Sequence, residues 1–336
     1  MRSFNLFDDV ENSTDESTYW NDIVSLYEAL YEPLSRQHAD AILSMLEMEV
    51  ESKVLDVAAG TGSLTLLAAE RGASVLAVDT SAAMLSRIPA RATPMMHIDT
   101  RVMDGQMLDF PDEHFDVSFS MFGLMFFPDW RRGLAELARV TRGGGRGAIA
   151  VWEHHYGAGP FVLLYEAWRL AFPAKEGMET TDGMRRLSSP ETLVKEMNAA
   201  GFHEVTVRLN RGTWVGPSAS TFGARLERFF GSLPMYKQLE KTERDKLDHE
   251  VRLAAGRHAT PEGLAVPSNA WIAVGTKTRP IAMGSTERCL NGQSYQPSPI
   301  NSSVSPNQAR RKNRVLSSDE ASLASTCRIG AAPENS

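Results

Sequence analysis

An α/β fold with a doubly wound, mostly parallel sheet is what this chain of 336 residues predicts, and three observations carry it. Strand-like and helix-like stretches alternate through the middle of the chain, the pattern of a parallel sheet covered by helices on both faces. The first strand runs into VLDVAAGTGS (54–63), a turn with almost no side chains. The second strand ends on Asp79. Ligands of such sheets bind beyond the carboxyl ends of the strands, so a bare turn and an acid at neighbouring strand ends mark a binding edge.

Seven strands are read in order. KVLDV (53–57) is a short apolar run of the buried-strand type, followed by the helix-compatible SLTLLAAER (63–71). SVLAVD (74–79) is the second strand, and SAAMLSRI (81–88) opens a helix behind Ser81. TRVMD (100–104) and FDVSFSMFG (115–123) are the third and fourth. Trp130, Leu134, Leu137 and Val140 then recur on one helical face, and the glycines at 143–145 are expected to stop that helix. RGAIAVW (146–152) is the fifth strand; EVTVRL (204–209) and AWIAVGT (270–276) close the sheet. Before them, Ser189 and Pro190 read as an N-cap and first turn, with Gly201 as the stop. The stretch 222–255 reads as helical, with a capping-box start at Thr242-x-x-Asp245.

This organisation divides the chain into an N-terminal helical cover segment (1–45), a main domain (46–280) with helical insertions at about 155–188 and 213–265, and a tail (281–336). The tail is rich in Ser, Asn, Pro, Gln and Arg and is expected to be disordered. Its RRKNR run (310–314) reads as a solvated basic cluster and is given no function.

Bulk properties exclude several classes. The longest apolar stretch, FVLLYEAWRLAF (161–172), is interrupted by Glu166 and Arg169 and is too short for a membrane span. The acidic N-terminus has neither a secretory apolar core nor an Arg-rich transit character, so a cytoplasmic location is expected. Cys289 and Cys327 both lie in the tail, which removes disulfides and thiolates from the main body, and the eight histidines show no metal-ligand spacing. No metal is expected. A net charge of −7 disfavours a nucleic-acid partner.

The bare turn has three readings: a structural turn, a phosphate cradle of a dinucleotide enzyme, or a seat for another nucleotide-like cofactor. A dinucleotide fingerprint needs glycines at the first, third and sixth positions, where Ala58, Gly60 and Ser63 stand. Two of the three fail. A purely structural turn leaves unexplained Asp56 at the end of one strand and Asp79 at the end of the next. An aspartate at the second position accepts hydrogen bonds from both hydroxyls of a ribose. A nucleoside without a required pyrophosphate is thus indicated, and S-adenosylmethionine fits that description.

VLDVAAGTG resembles motif I of the class I S-adenosylmethionine-dependent methyltransferases, and the resemblance runs in register over roughly residues 50–210. AVDTSAAML (77–85) is similar to their second motif, MDGQMLDFPDEHFDVSFS (103–120) to the third and fourth, and ELARVTRGGGRGAIAVW (136–152) to their helix and fifth strand. Within the family the chain is most similar to the small-molecule branch of ubiquinone/menaquinone C-methyltransferases, the methyltransferase type 11-like proteins. Two departures are Ala58, where glycine is commoner, and Gly143, where proline often stands. Ala58 is expected to take a negative φ, the region an alanine tolerates.

The resemblance implies a Rossmann-like methyltransferase fold and a role for each carried-over residue. The amides after Gly60 and Gly62 would bind the carboxylate of the methionine part at a helix N-terminus. Asp56 would lie near its ammonium and Asp79 on the ribose hydroxyls. Asp104 would accept from the adenine amino group, the Gly105 amide would donate to the ring, and Met84 would pack on the ring face. Ser120 and Met121, at the end of the fourth strand, would lie with their backbone beside the reactive methyl, and Ala58 would belong to the cofactor-binding turn.

The acceptor would meet that methyl near SMFGLMFF (120–127) and WEHHY (152–156), under YWNDIVSLYEALY (19–31) and the two insertions. Trp20, Tyr27, Tyr31, Phe161, Tyr165, Trp168, Trp214, Phe222 and Phe229 in these segments suggest a small apolar or aromatic acceptor, methylated at carbon or oxygen. One of His154 and His155 is a candidate base, since adjacent residues of an extended chain point opposite ways. Arg185 and Arg186 are candidates for an anionic acceptor. A catalytically silent S-adenosylmethionine-binding protein and a methyltransferase of protein or nucleic acid are the alternative readings. The fourth strand lacks the Asn/Asp-Pro-Pro-aromatic element that positions an exocyclic base nitrogen.

Overall fold

The computed structural model describes residues 16–175, 178, 180–231 and 233–279. The expected tail, its two cysteines and its basic run lie outside the described residues. The described chain opens with α1 (Glu16–Leu26), one π-helical turn (Tyr27–Tyr31) and α2 (Glu32–Leu46). There follow β1 (Lys53–Val57), α3 (Ser63–Glu70), β2 (Ser74–Asp79), the short α4 (Ala82–Leu85), β3 (His97–Val102) and β4 (Phe115–Met121). A 3-10 turn (Leu124–Phe126) leads into α5 (Trp130–Val140), β5 (Thr141–Trp152), α6 (Pro160–Ala171), α7 (Asp182–Leu187), α8 (Pro190–Ala200) and β6 (Phe202–Asn210). The last part holds β7 (Thr213–Gly216), α9 (Ala219–Gly223), α10 (Leu226–Phe230), α11 (Pro234–Lys237), α12 (Lys241–Arg257), β8 (Ala259–Thr260), β9 (Gly263–Pro267) and β10 (Ala270–Lys277).

Seven strands form one sheet in the order β3-β2-β1-β4-β5-β10-β6. The first five are parallel, and β10 runs antiparallel between β5 and β6. Four of the five residues of β1 are buried, as are Val117 and Phe119 of its neighbour β4 and Ala148 of β5 beyond it. That double burial is why the central strands read as continuous apolar runs. The chain order reverses between β1 and β4, and ligands of open α/β sheets sit at such a switch point.

Local signals hold where a side chain caps a helix. Ser81 Oγ accepts from the Met84 amide at 3.1 Å and Ser189 Oγ from the Thr192 amide at 3.2 Å. Gly201 ends α8 with φ 102°.

Four element expectations are corrected. The third strand is His97–Val102, set by its pairing along β2 rather than by its most apolar residues. Glycines 143–145 do not stop α5: that helix ends at Val140 and β5 starts at once, with the glycines taken up in a register shift opposite Phe115 and Val117. A Cβ on Gly145 would lie 2.6 Å from the Asp116 carbonyl, so strand pairing there requires the missing side chain. The insertion 213–265 is not purely helical; it carries a three-stranded sheet, β7-β9-β8. Its long helix α12 is capped by a box between Glu240 and Glu243, ahead of Thr242 and Asp245.

Candidate functional site

A cavity opens at the switch point, enclosing about 1320 Å³ with the solvent at its mouth included. Its walls come from strand ends and from the N-terminal cover. The ends of β1, β2 and β3 give Ala58, Gly60, Asp79, Thr80, Met103, Asp104 and Gly105, with Met84 from α4. The ends of β4 and β5 give Met121, Phe122, Gly123, Trp152 and Tyr156. Tyr19, Trp20, Ile23, Tyr27 and Tyr31 close it from the cover. A single π-helical turn carries Tyr27 and Tyr31, and such bulges recur where a helix must re-aim side chains at a site.

Backbone geometry at β1 explains the small residues of the opening turn. Gly60 has φ 56°, the left-handed region that favours glycine, and a Cβ there would lie 3.8 Å from the Tyr27 hydroxyl. Ala58 also takes positive φ, 58°, against the expectation of a negative one. Its methyl fills the space of a missing neighbour: a Cβ on Gly123 would stand 2.3 Å from the Ala58 Cβ. The turns after β1 and β4 therefore fit each other as an Ala–Gly pair.

Asp79 faces the cavity with both oxygens already engaged by backbone. Oδ2 accepts from the Gly60 amide at 2.8 Å and Oδ1 from the Ser81 amide at 2.9 Å. Burial pushes its pKa up, and the amide bonds from Ser81, Gly60 and Thr80 pull it back. Three amide donors on two oxygens leave acceptor capacity for a ligand hydroxyl. Asp104 lies in the same wall, its Oδ1 accepting from the Gln106 amide at 2.8 Å, beside Gly105 and Met84.

Three expected contact residues lie behind the wall instead of in it. Asp56 is 1% exposed, does not line the cavity, and accepts from Thr65 Oγ1 at 2.5 Å, bracing α3 on the sheet. Burial raises its pKa to about 7, against the lowering effect of the Thr65 bond. Gly62 caps α3 with φ 86° and packs on Ile88, whose Cγ1 would be 2.6 Å from an added Cβ. Ser120 is 2% exposed and its Oγ accepts from the Leu124 amide at 3.1 Å. Met121, one residue on, is the β4 residue that reaches the cavity.

Neither candidate base lines the cavity. Past Trp152 the chain turns, with the Gly157 amide bonded to the His154 carbonyl at 2.9 Å, so alternation along a strand no longer applies. His154 stacks on Tyr156 at 4.9 Å, and His155 meets Tyr156 and Tyr165 edge-on. Tyr156 is the ring that enters the cavity, its phenol pushed up to about 12 by burial. Arg185 and Arg186 are also outside the wall: Arg186 pairs with Asp182 at 3.0 Å and Arg185 donates to the Thr180 carbonyl. Of the aromatic residues expected near the acceptor, Trp20, Tyr27, Tyr31 and Phe161 line the cavity. Tyr165 stacks behind Tyr156 at 3.9 Å, while Trp168, Trp214, Phe222 and Phe229 are buried core.

Sequence reading missed the residue that ties the cover to the turn. Glu32, 7% exposed at the start of α2, accepts from Thr61 Oγ1 at 3.0 Å, Ser63 Oγ at 2.9 Å and Arg91 Nη2 at 2.6 Å. Arg91 also donates to the Thr61 carbonyl at 2.9 Å. Farther along the cover, Asn21 Oδ1 accepts from Ser81 Oγ at 2.7 Å and from the Ala83 amide at 3.1 Å. The cover is thus fastened to both turns that flank Asp79. No local pattern announces Glu32, because its partners lie 29 to 59 residues away.

Comparison with known proteins agrees with this arrangement. Residues 55–149 match the family model described as a methyltransferase domain. A demethylmenaquinone methyltransferase of Corynebacterium urealyticum is 35% identical over 170 residues, 48% of this chain and 71% of that protein. The chain belongs to the class I S-adenosylmethionine-dependent methyltransferases. An uncharacterised Mycobacterium tuberculosis protein is 40% identical over 101 residues, 30% of this chain; the chain spans 37% of that relative's length. The solved structure of the YcgJ protein of Bacillus subtilis is similar at 16% identity and a TM-score of 0.45, over 73% of this chain and 99% of that one. Among the described residues no helix is long and apolar enough to cross a membrane, and no His, Cys, Asp and Glu group has the makings of a metal site.

Proposed function

We propose that this chain transfers a methyl group from S-adenosylmethionine to a small, apolar or aromatic acceptor, at carbon or oxygen. The observation that supports it most is a single cavity whose two sides differ in chemistry. The β1–β3 side offers Asp79, Asp104 and backbone at Gly60 and Gly105; the β4–β5 side and the cover offer Met121, Phe122, Trp152, Tyr156, Tyr27 and Phe161.

The residues present fit the cofactor. No Lys, Arg or His stands among the described lining residues, and two carboxylates do. A pyrophosphate would meet those carboxylates unpaired, whereas a cationic nucleoside finds acids for its hydroxyls and amino group and ring faces for its positive centre. When bound, the cofactor supplies an activated methyl carbon that a nucleophile displaces in line. Asp79 would hold the ribose, Asp104 and Gly105 the base, with Met84 on the ring face, and the bare turn at Gly60 would let the methionine part lie against the backbone. Met121 and Phe122 would set the approach of the acceptor, and the cover would exclude water. Lining groups on the acceptor side are apolar or carry only hydroxyls, the phenols and Ser35, so alignment and desolvation carry the rate, and proton loss follows the acceptor's own acidity.

The relatives named as demethylmenaquinone methyltransferases support a small-molecule acceptor. The test is transfer of tritiated methyl from S-adenosylmethionine into quinol, phenol, sterol and polyketide pools, with labelled products identified by mass. Label in a quinol or phenol pool is expected. Cofactor binding with no label in any pool would replace this reading with a silent binding protein.

A further inference from the structure

One buried titratable side chain plays no part in the mechanism above, yet it stands directly behind the acceptor wall. His38 of α2 is 0% exposed, and its ring meets Phe122 and Trp152 edge-on at 5.6 Å and 5.7 Å. Those two rings stack on each other at 3.8 Å with planes 14° apart, and both line the cavity.

The tautomer of His38 follows from its partners. Nε2 lies 3.0 Å from the Ser268 carbonyl, which only accepts, so Nε2 carries the hydrogen; Nδ1 then accepts from Asn210 Nδ2 at 2.7 Å. Burial, partly opposed by the Ser268 bond, lowers its pKa to about 4, and the ring is neutral. Ser268 extends the network, its Oγ accepting from the Gly159 amide at 3.1 Å, in the loop whose Gly157 and Ala158 line the cavity. Phe122 needs such support. Its φ of 61° is an outlier for a bulky side chain, and conformations of this kind persist only where the surroundings over-determine them. The Ala150 carbonyl takes its amide at 2.8 Å, and Trp152 and His38 hold its ring.

We propose that His38 is a positioning residue for the acceptor, fixing the stacked Phe122–Trp152 pair as the wall against which the acceptor ring lies. The inference rests on the methyltransferase reading, and it separates His38 from cofactor binding: no hydrogen bond joins the network of His38, Asn210, Ser268 and Gly159 to Asp79 or Asp104.

The test uses the full chain saturated with S-adenosylhomocysteine and titrated by calorimetry with 2-naphthol, an uncharged planar ring. His38→Leu removes the network and is expected to weaken 2-naphthol about tenfold, the loss of one well-made buried hydrogen bond, with S-adenosylhomocysteine affinity within about twofold of wild type. His38→Gln, whose amide nitrogen still donates to Ser268, is expected to restore most of the loss. Should His38→Leu fail to fold, Asn210→Ala at the half-buried end of the network is expected to act in the same direction, by about threefold. Unchanged 2-naphthol affinity in every variant that binds S-adenosylhomocysteine overturns the proposal, as does a parallel fall in both affinities. A wild-type chain that binds S-adenosylhomocysteine but not 2-naphthol also overturns it. Failure of S-adenosylhomocysteine to bind wild type would instead count against the methyltransferase reading.

Discussion

Ala58 and Phe122 take left-handed backbone at the edge of the cavity, with φ 58° and 61°. At Ala58 that conformation costs about 1–2 kcal/mol relative to glycine, less about 0.4–1 kcal/mol because glycine has more freedom to lose on folding. Ala58→Gly should therefore raise stability by about 0–1.6 kcal/mol, read from urea unfolding. A clear loss would mean that the Ala58 methyl in the space beside Gly123 outweighs the strain. Asp56 adds a pH signature. Its folded pKa of about 7 lies above the usual 3.8 because of burial. Its contribution is therefore complete below about pH 4 and is lost as pH rises to 7, a swing of order 4 kcal/mol by linkage. Asp56→Asn keeps an acceptor for Thr65 and removes the titration. Its advantage over wild type should grow between pH 4 and 7 and level off above; an equal gap at pH 5 and pH 8 would contradict the burial account. The residues themselves were legible, since Asp79, Asp104, Gly105, Gly60 and Met84 all line the cavity. Depth was not: the pattern that marks Asp56 and Gly62 as turn residues is the same whether they face a ligand or the core.

At the scale of elements, the cover made of α1, the π-helical turn and α2 is fastened by Glu32 and Asn21 to the two turns around Asp79. Glu32→Ala would take from Thr61, Ser63 and a partly exposed Arg91 the carboxylate they share, leaving Arg91 only the Thr61 carbonyl. Breaking a buried pair costs about 3–5 kcal/mol, and a loss of about 3 kcal/mol or somewhat less is expected here because Arg91 meets solvent. Unfolding by urea should show that loss, and calorimetry should show weaker S-adenosylhomocysteine binding as the turn loosens. Stability within about 0.5 kcal/mol of wild type would mean that the clamp is a surface contact without weight. Strands and helix caps were readable because apolar period and cap chemistry are local. The glycines at 143–145 misled because a glycine run signals equally a helix stop and a strand bulge, and only the pairing of β4 with β5 decides. His154 and His155 misled for a related reason: the strand ends at Trp152, and the rule of alternation ends with it.

For the whole molecule, the reversal of strand order between β1 and β4 gathers the candidate cofactor and acceptor residues from separate stretches of the chain into one cavity. The strand sequence made that edge predictable. It did not reveal the small sheet β7-β9-β8, whose strands are short and whose β7 pairs with β9 about fifty residues away. A net charge of −7 and a cavity with two carboxylates and no described cation favour an unphosphorylated nucleoside over a phosphorylated one. Calorimetric titration of the full chain with S-adenosylhomocysteine and, separately, with NAD tests this most directly. The account predicts saturable binding of S-adenosylhomocysteine, weakened at least about tenfold by Asp79→Ala through loss of charge-assisted bonds of about 1.5–3 kcal/mol each, and no binding of NAD. Saturable binding of NAD with no heat from S-adenosylhomocysteine would contradict it.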